Sequence, residues 1–216
     1  MVSSAPVLEP GVVEVWRAGL DVGAARLDQS LSPAERERAA SFTSETARAR
    51  YVHARGILRE LLGRYLARDP GGIDLDLGGK GKPALAGSEL EFNLSHSDAT
   101  AIFAFSLDNP VGVDVEVADR EVRDLLSAAA RVLDEAEVER LRDLPAERRD
   151  AEFLRSWVRH EAALKCRGAG LGSPSEPSGL YVSDLDVGAD AVAAIALERP
   201  PDEVRVHRLE RVADGG

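Results

Sequence analysis

The sequence predicts an α+β protein built as two pseudo-symmetric lobes, and three observations predict it. Two long helical stretches, roughly residues 33–68 and 151–166, are each followed by a Gly/Pro-rich loop and then by a strand pair. The strand signals within 90–107 therefore have counterparts within 179–197. At 216 residues the chain is long enough for one large domain or two small ones. The expected division is an N-terminal lobe over 1–109 and a C-terminal lobe over 110–216. Each is expected to pack a long helix on a small antiparallel sheet, with the ligand site in the cleft between them.

The elements follow in order. Residues 12–16 alternate as a strand, with Val13 and Val15 on one face. Ser32 caps a helix with Pro33 at its first position. Helical character continues, broken around Phe42-Thr43-Ser44, to about Arg68. Tyr51, Ile57, Leu58, Leu61, Leu62 and Tyr65 make its buried stripe, and Asp69-Pro70-Gly71-Gly72 ends it. Strands over 90–94 and 100–107 are separated by Ser95-His96-Ser97-Asp98. A turn at Asp108-Asn109-Pro110 leads to a third strand over 111–117, and the tight connections predict an antiparallel meander. Residues 120–130 read equally as a short helix or an ordered loop. Asp134 caps a helix through Leu144, and the helix over 151–166 closes at Gly168-Ala169-Gly170. After a Ser/Pro loop at 173–178, strands are expected over 179–185, 191–197 and 203–209, with a frayed tail at 213–216.

Composition narrows the functional class. Apolar content of 44% and charged content of 30% are ordinary for a globular protein. A net charge of -11 argues against a nucleic-acid or membrane-surface binder. The single cysteine, Cys166, excludes an internal disulfide and a Cys-rich metal site, so a reducing cytoplasm is expected. No apolar run approaches the ~18 residues of a membrane span, and the first residues lack a signal-peptide pattern.

The stretch Gly112-Val113-Asp114-Val115-Glu116 carries the sharpest chemistry. On a strand the valines take one face and both carboxylates the other. Two like charges on one face raise each other's cost of ionising, which a hard cation such as Mg²⁺ relieves. The plainer reading is a half-exposed strand with a solvated acidic face. Trp157, Glu161 and Lys165 share one helix face. They are either a buried tryptophan beside an exposed Glu–Lys pair, worth about 0.2–0.5 kcal/mol, or a metal ligand or base beside a phosphate clamp. Ser95 and His96 diverge, so they form no nucleophile relay, though both can donate to a phosphate. Lys82-Pro83 reads as a basic turn, and Arg50 and Arg55 as solvated or capping charges. The segment 78–83 is not a Walker A loop, because no Ser/Thr follows the lysine and Pro83 blocks a helix start.

Gly81-Lys82-Pro83, Asn93-Leu94-Ser95-His96-Ser97, Gly112-Val113-Asp114-Val115-Glu116 and Trp157-Val158-Arg159-His160-Glu161-Ala162-Ala163-Leu164-Lys165 together resemble one family. It is the 4′-phosphopantetheinyl transferases, in the long two-lobed, surfactin-synthetase-activating type that serves polyketide and nonribosomal peptide synthetases. The match runs from about Arg48 to Leu171. The resemblance implies transfer of the phosphopantetheine arm of coenzyme A to a serine of an acyl or peptidyl carrier protein, releasing adenosine 3′,5′-bisphosphate. It implies Mg²⁺, with Mn²⁺ as a substitute, on Asp114, Glu116 and Glu161. Glu161 would help deprotonate the serine, Lys165 would act on the leaving phosphate, and Ser95 and His96 would contact the pyrophosphate. Arg55, Lys82 and Pro83, with Arg50, would meet the nucleotide end. His160 stands where the family usually has lysine. A cytoplasmic monomer without nucleic-acid or membrane partners is expected, with Arg120, Arg123 and Arg131 as carrier-docking candidates. The alternatives are a non-catalytic coenzyme A or carrier-binding module of the same fold, or another Mg²⁺-dependent nucleotide-phosphate enzyme, which would need a phosphate loop.

Overall fold

The computed structural model describes residues 7–21, 27–77, 83–120, 124–168 and 179–209. The basic loop with Lys82, Arg123, the Ser/Pro loop at 173–178 and the tail at 213–216 lie outside them. Strand β1 spans Val12–Gly19; helices α1 (Pro33–Ala40) and α2 (Glu45–Leu66) follow. The short strands β2 (Asp76–Leu77) and β3 (Pro83–Ala84) lead to β4 (Leu90–Ser97), β5 (Thr100–Leu107) and β6 (Val111–Val117). Helices α3 (Leu125–Val132), α4 (Glu135–Asp143) and α5 (Ala146–Cys166) precede β7 (Tyr181–Leu185), β8 (Ala191–Leu197) and β9 (Glu203–Arg208).

Local chemistry sets the helix boundaries. Ser32 and Glu35 close a reciprocal capping box: Glu35 N–H donates to Ser32 Oγ at 3.3 Å, and Ser32 N–H to Glu35 Oε2 at 2.9 Å. The break expected near residue 43 is real, and Ser44 caps α2 by accepting from Ala47 N–H at 3.3 Å. Asp134 caps α4 by accepting from Glu137 N–H at 2.7 Å. The α5 helix begins at residue 146, a turn earlier than expected. Arg149 donates to the carbonyls of Leu144 and Arg142, both at 2.8 Å, and so fastens its start to the end of α4.

The elements stack in four layers. One sheet has the order β4-β5-β1-β9, the other β6-β8-β7. Trp16, Phe92, Phe103 and Phe105 pack under Leu58, Leu61 and Leu62, so α2 covers the outer face of the first sheet. The inner faces meet through Val13, Val15, Ile102 and Ala104 against Val111, Val113, Val115 and Ile195. Val158, Ala162, Ala163 and Cys166 pack on Ala194 and Ala196, so α5 covers the outer face of the second sheet. Two alike helix-on-sheet halves are thus joined back to back.

Two pairings differ from the sequence reading. The three strands from 90 to 117 are not a meander: β4 pairs with β5, but β6 pairs antiparallel with β8. The edge that β6 would have used on β5 is taken by β1. Asp108, at φ 47, and Asn109 turn the chain away, and the Asn109 carboxamide exchanges hydrogen bonds of 3.0 and 3.1 Å with the Arg199 backbone. Strand β9, assigned by the division above to residues 110–216, instead pairs parallel with β1. Among the described residues no helix is long and apolar enough to cross a membrane.

Candidate active site

The acidic strand is buried on both faces, not half-exposed. Its valines enter the core between the sheets. The alternation then sends Gly112, Asp114 and Glu116 toward α5. Gly112 shows how close that helix lies: an added Cβ would fall on the Ala162 carbonyl and the Cys166 backbone, 2.9 Å from Cys166 Cα. Asp114 is 6% and Glu116 8% exposed, so each carboxylate needs partners from the protein. Asp114 Oδ1 accepts from Ser95 Oγ at 2.7 Å and from Lys165 Nζ at 2.6 Å. Lys165 also donates to Ser95 Oγ at 2.9 Å, closing a triangle of three elements. Asp114 Oδ2 is buried with no hydrogen-bond partner among the described residues. Glu116 Oε2 accepts from Ser97 Oγ at 2.5 Å, and Oε1 pairs with Arg120. Arg120, a docking candidate in the sequence, is therefore engaged at the acidic strand.

Glu161 lies one turn before Lys165 on α5 and is 5% exposed. Burial, then the charges of Asp114 and Glu116, raise its carboxyl above the ordinary range, with Lys165 opposing. Burial likewise raises Asp114 despite its contact with Lys165. Three buried carboxylates thus repel one another. Among the described residues no three such side chains close into a ready metal cluster.

The remaining candidates gather on the α2 side. The β4 alternation separates Ser95 from His96, as expected: Ser95 turns to Asp114, while His96 stands at the surface. Loss of hydration, then the charges of Lys165, Arg55 and Arg50, hold its imidazole below the usual range. The cations of both long helices therefore converge electrostatically on His96. Arg50 donates to Asp21 at 2.7 and 2.9 Å and also pairs with Asp98. Arg55 lies 5.8 Å over the Tyr51 ring, and its Nη1 is buried with no hydrogen-bond partner among the described residues. Pro83 is buried in β3 opposite Leu77. Lys82 lies outside the described residues. Cys166 is buried at the end of α5, its thiol directed at the Pro110 carbonyl at 3.2 Å, in keeping with a packing role.

Asn93 and Ser97 were not singled out in the sequence as site residues. Their signal is parity. Asn93, Ser95 and Ser97 share the face of β4 that turns from α2, whereas Leu90 and Phe92 belong to the core beneath that helix. Asn93 Oδ1 accepts from the Val113 N–H at 2.9 Å. A set of oxygen donors with an unpartnered carboxylate oxygen, flanked by an ammonium and by guanidinium groups, suits a hard divalent ion and a polyphosphate.

Comparison with known proteins gives the same direction. Residues 110–212 match the family described as the 4′-phosphopantetheinyl transferase superfamily. Over 207 residues the chain is 36% identical to the 4′-phosphopantetheinyl transferase HetI of a Nostoc species, covering 86% of this chain and 87% of that protein. It is 29% identical over 238 residues to a phosphopantetheinyl transferase of a Thraustochytrium species, covering 95% of this chain and 82% of the relative. It is also 41% identical to the 4′-phosphopantetheinyl transferase AcpT of Salmonella typhi over 113 residues, about half of each chain (51% and 56%).

Proposed function

The chain belongs to the 4′-phosphopantetheinyl transferase superfamily, and on that premise we propose that it moves the 4′-phosphopantetheine arm of coenzyme A onto a serine of an acyl or peptidyl carrier protein. The carriers are those of polyketide or nonribosomal peptide synthesis, and the enzyme acts as a cytoplasmic monomer. The observation that carries the reading is the Ser95–Asp114–Lys165 triangle with its unpartnered Asp114 Oδ2. It supplies one open carboxylate oxygen beside one ammonium where two sheets and a helix meet.

Asp114, Glu116 and Glu161 are the residues that would hold Mg²⁺, or Mn²⁺ in its stead. The fit rests on the open Asp114 oxygen and on the mutual repulsion of Asp114 and Glu161. When bound, the ion neutralises negative charge on the pyrophosphate. The chain's own residues do the rest. Glu161, raised by its surroundings, accepts the proton of the carrier serine. The serine oxygen bonds to the β-phosphorus, and the bond from that phosphorus to the bridging oxygen breaks. Adenosine 3′,5′-bisphosphate leaves with the electron pair. Lys165 meets the charge that develops on the departing α-phosphate. Ser95 and His96 contact the pyrophosphate, and Arg50, Arg55, Lys82 and Pro83 receive the nucleotide end.

Intact-mass spectrometry of an apo carrier incubated with the protein, coenzyme A and Mg²⁺ tests this. The expected result is a mass gain of one phosphopantetheine that disappears with a chelator. Tight coenzyme A binding with no gain on any of several carriers would instead leave a non-catalytic binding module.

A further inference from the structure

Strands β4 and β6 belong to different sheets and run side by side in the same direction. Among the described residues no backbone ladder joins them. They are sutured by side chains of β4, with Asn93 on the Val113 amide, Ser95 on Asp114, and Ser97 on Glu116. Ser97 Oγ also accepts from the Val117 N–H at 3.4 Å. Where β1 and β5 turn valine, isoleucine and alanine to the inter-sheet core, β4 turns three polar residues to the neighbouring strand. Polar groups at such a seam cost desolvation unless each is bonded. Here each is bonded, and two of the three end on the acidic pair.

We propose that Ser97 is a positioning residue for the transfer reaction: it holds the Glu116 carboxylate in the orientation the site uses, as Ser95 does for Asp114. The inference rests on the metal reading of Asp114, Glu116 and Glu161 given above. Glu116 has a flexible side chain on a strand, and its only other described bond is to Arg120, which is half-exposed at 50%. The hydroxyl of Ser97, half-buried and fixed at once to the Val117 amide and to Oε2, is the rigid partner. Partners of this kind set the aim and basicity of a ligand without touching the substrate. A backbone N–H on the same hydroxyl polarises it and strengthens its donation to the carboxylate.

The test compares wild type, Ser97→Ala and Ser97→Thr. Mn²⁺ affinity is read by electron paramagnetic resonance in the absence of coenzyme A, melting temperature on the metal-free protein, and kcat and KM for the carrier. Ser97→Ala is expected to weaken Mn²⁺ binding about 10-fold and to lower kcat, with KM for the carrier and metal-free melting little changed. Ser97→Thr, which keeps the hydroxyl, restores both. Equal Mn²⁺ affinity in wild type and Ser97→Ala would overturn the inference and leave the metal reading standing. Equal losses in Ala and Thr, accompanied by lower melting of both, would overturn it in favour of a packing role. A wild type that takes up no Mn²⁺ would overturn both readings.

Discussion

The Lys165 ammonium lies 2.6 Å from Asp114 Oδ1, while the other oxygen of that carboxylate is buried with no hydrogen-bond partner among the described residues. One residue of the acidic strand is thereby tied through a single oxygen to the helix that covers it.

Lys165→Met removes the ammonium and leaves Asp114 Oδ1 with Ser95 alone. A charge-assisted hydrogen bond of this kind contributes about 2 kcal/mol, and a charge stabiliser of the leaving group about 10²–10³ in rate. Single-turnover transfer is expected to slow by that factor, and the urea midpoint to fall. Transfer at the wild-type rate would remove Lys165 from the mechanism.

Divalent cation should stabilise the folded protein by mass action, by about 2.7 kcal/mol at 100 times its dissociation constant. Melting curves with and without Mg²⁺ are expected to show the rise in wild type and its loss in Asp114→Asn. An equal rise in both would place the ion elsewhere.

Gly112→Ala drives a methyl into the backbone of α5, where neither the Ala162 carbonyl nor Cys166 can swing aside. Overpacking against main chain costs about 3 kcal/mol. Urea denaturation should show that loss. Transfer should fall with it, because α5 carries Glu161 and Lys165. A fully stable alanine variant would show that α5 sits farther from β6 than described.

Asn93→Ala leaves the Val113 N–H without its acceptor at the seam. An abandoned buried donor costs about 1–3 kcal/mol. Amide exchange at Val113 should quicken well beyond that at Ala193, in the centre of the second sheet. Unchanged protection at Val113 would mean that another group takes over the bond.

Glu137 ties α4 to α5. Its carboxyl is pushed down to about 2, first by the hydrogen bond from Arg140 and also by that from Ser156. This folded value lies below the unfolded value of about 4.3. The stabilisation is therefore fully present above that unfolded value and is lost as pH falls through about 2. The gap in melting temperature between wild type and Glu137→Gln is expected to be wide near neutrality and to close across that acid window. A gap independent of pH would assign the effect to packing.

Most helices were legible because their signals are local: the Ser32 and Asp134 caps and the break at Ser44 each stand in the sequence beside the helix they begin. The acidic pair was legible as two carboxylates on one strand face but not as buried, because its cover, α5, begins about thirty residues downstream. Gly112 reads as a poor strand residue until the helix backbone is seen against it. The meander failed for a related reason: which strand takes the free edge of β5 is a competition among distant segments, and β1 won it. Asn93 and Ser97 alternate visibly with Leu94 and His96, yet nothing in the pentapeptide says what strand they face.

Strand β9 lies parallel to β1, with Val12 opposite Glu203, and His207 pairs with the fully buried Glu14 while stacking 4.5 Å from Trp16. During synthesis, an emerging chain can fold α2 onto β1, β4 and β5 long before residues 203–208 leave the ribosome. Until then Glu14 has no imidazole to meet it, and one border of the sheet stays open to other chains. Such distant closures are slow and leave nascent protein prone to association. The sheet that carries Ser95 and His96 is thus finished only after α5, with Glu161 and Lys165, has already been made.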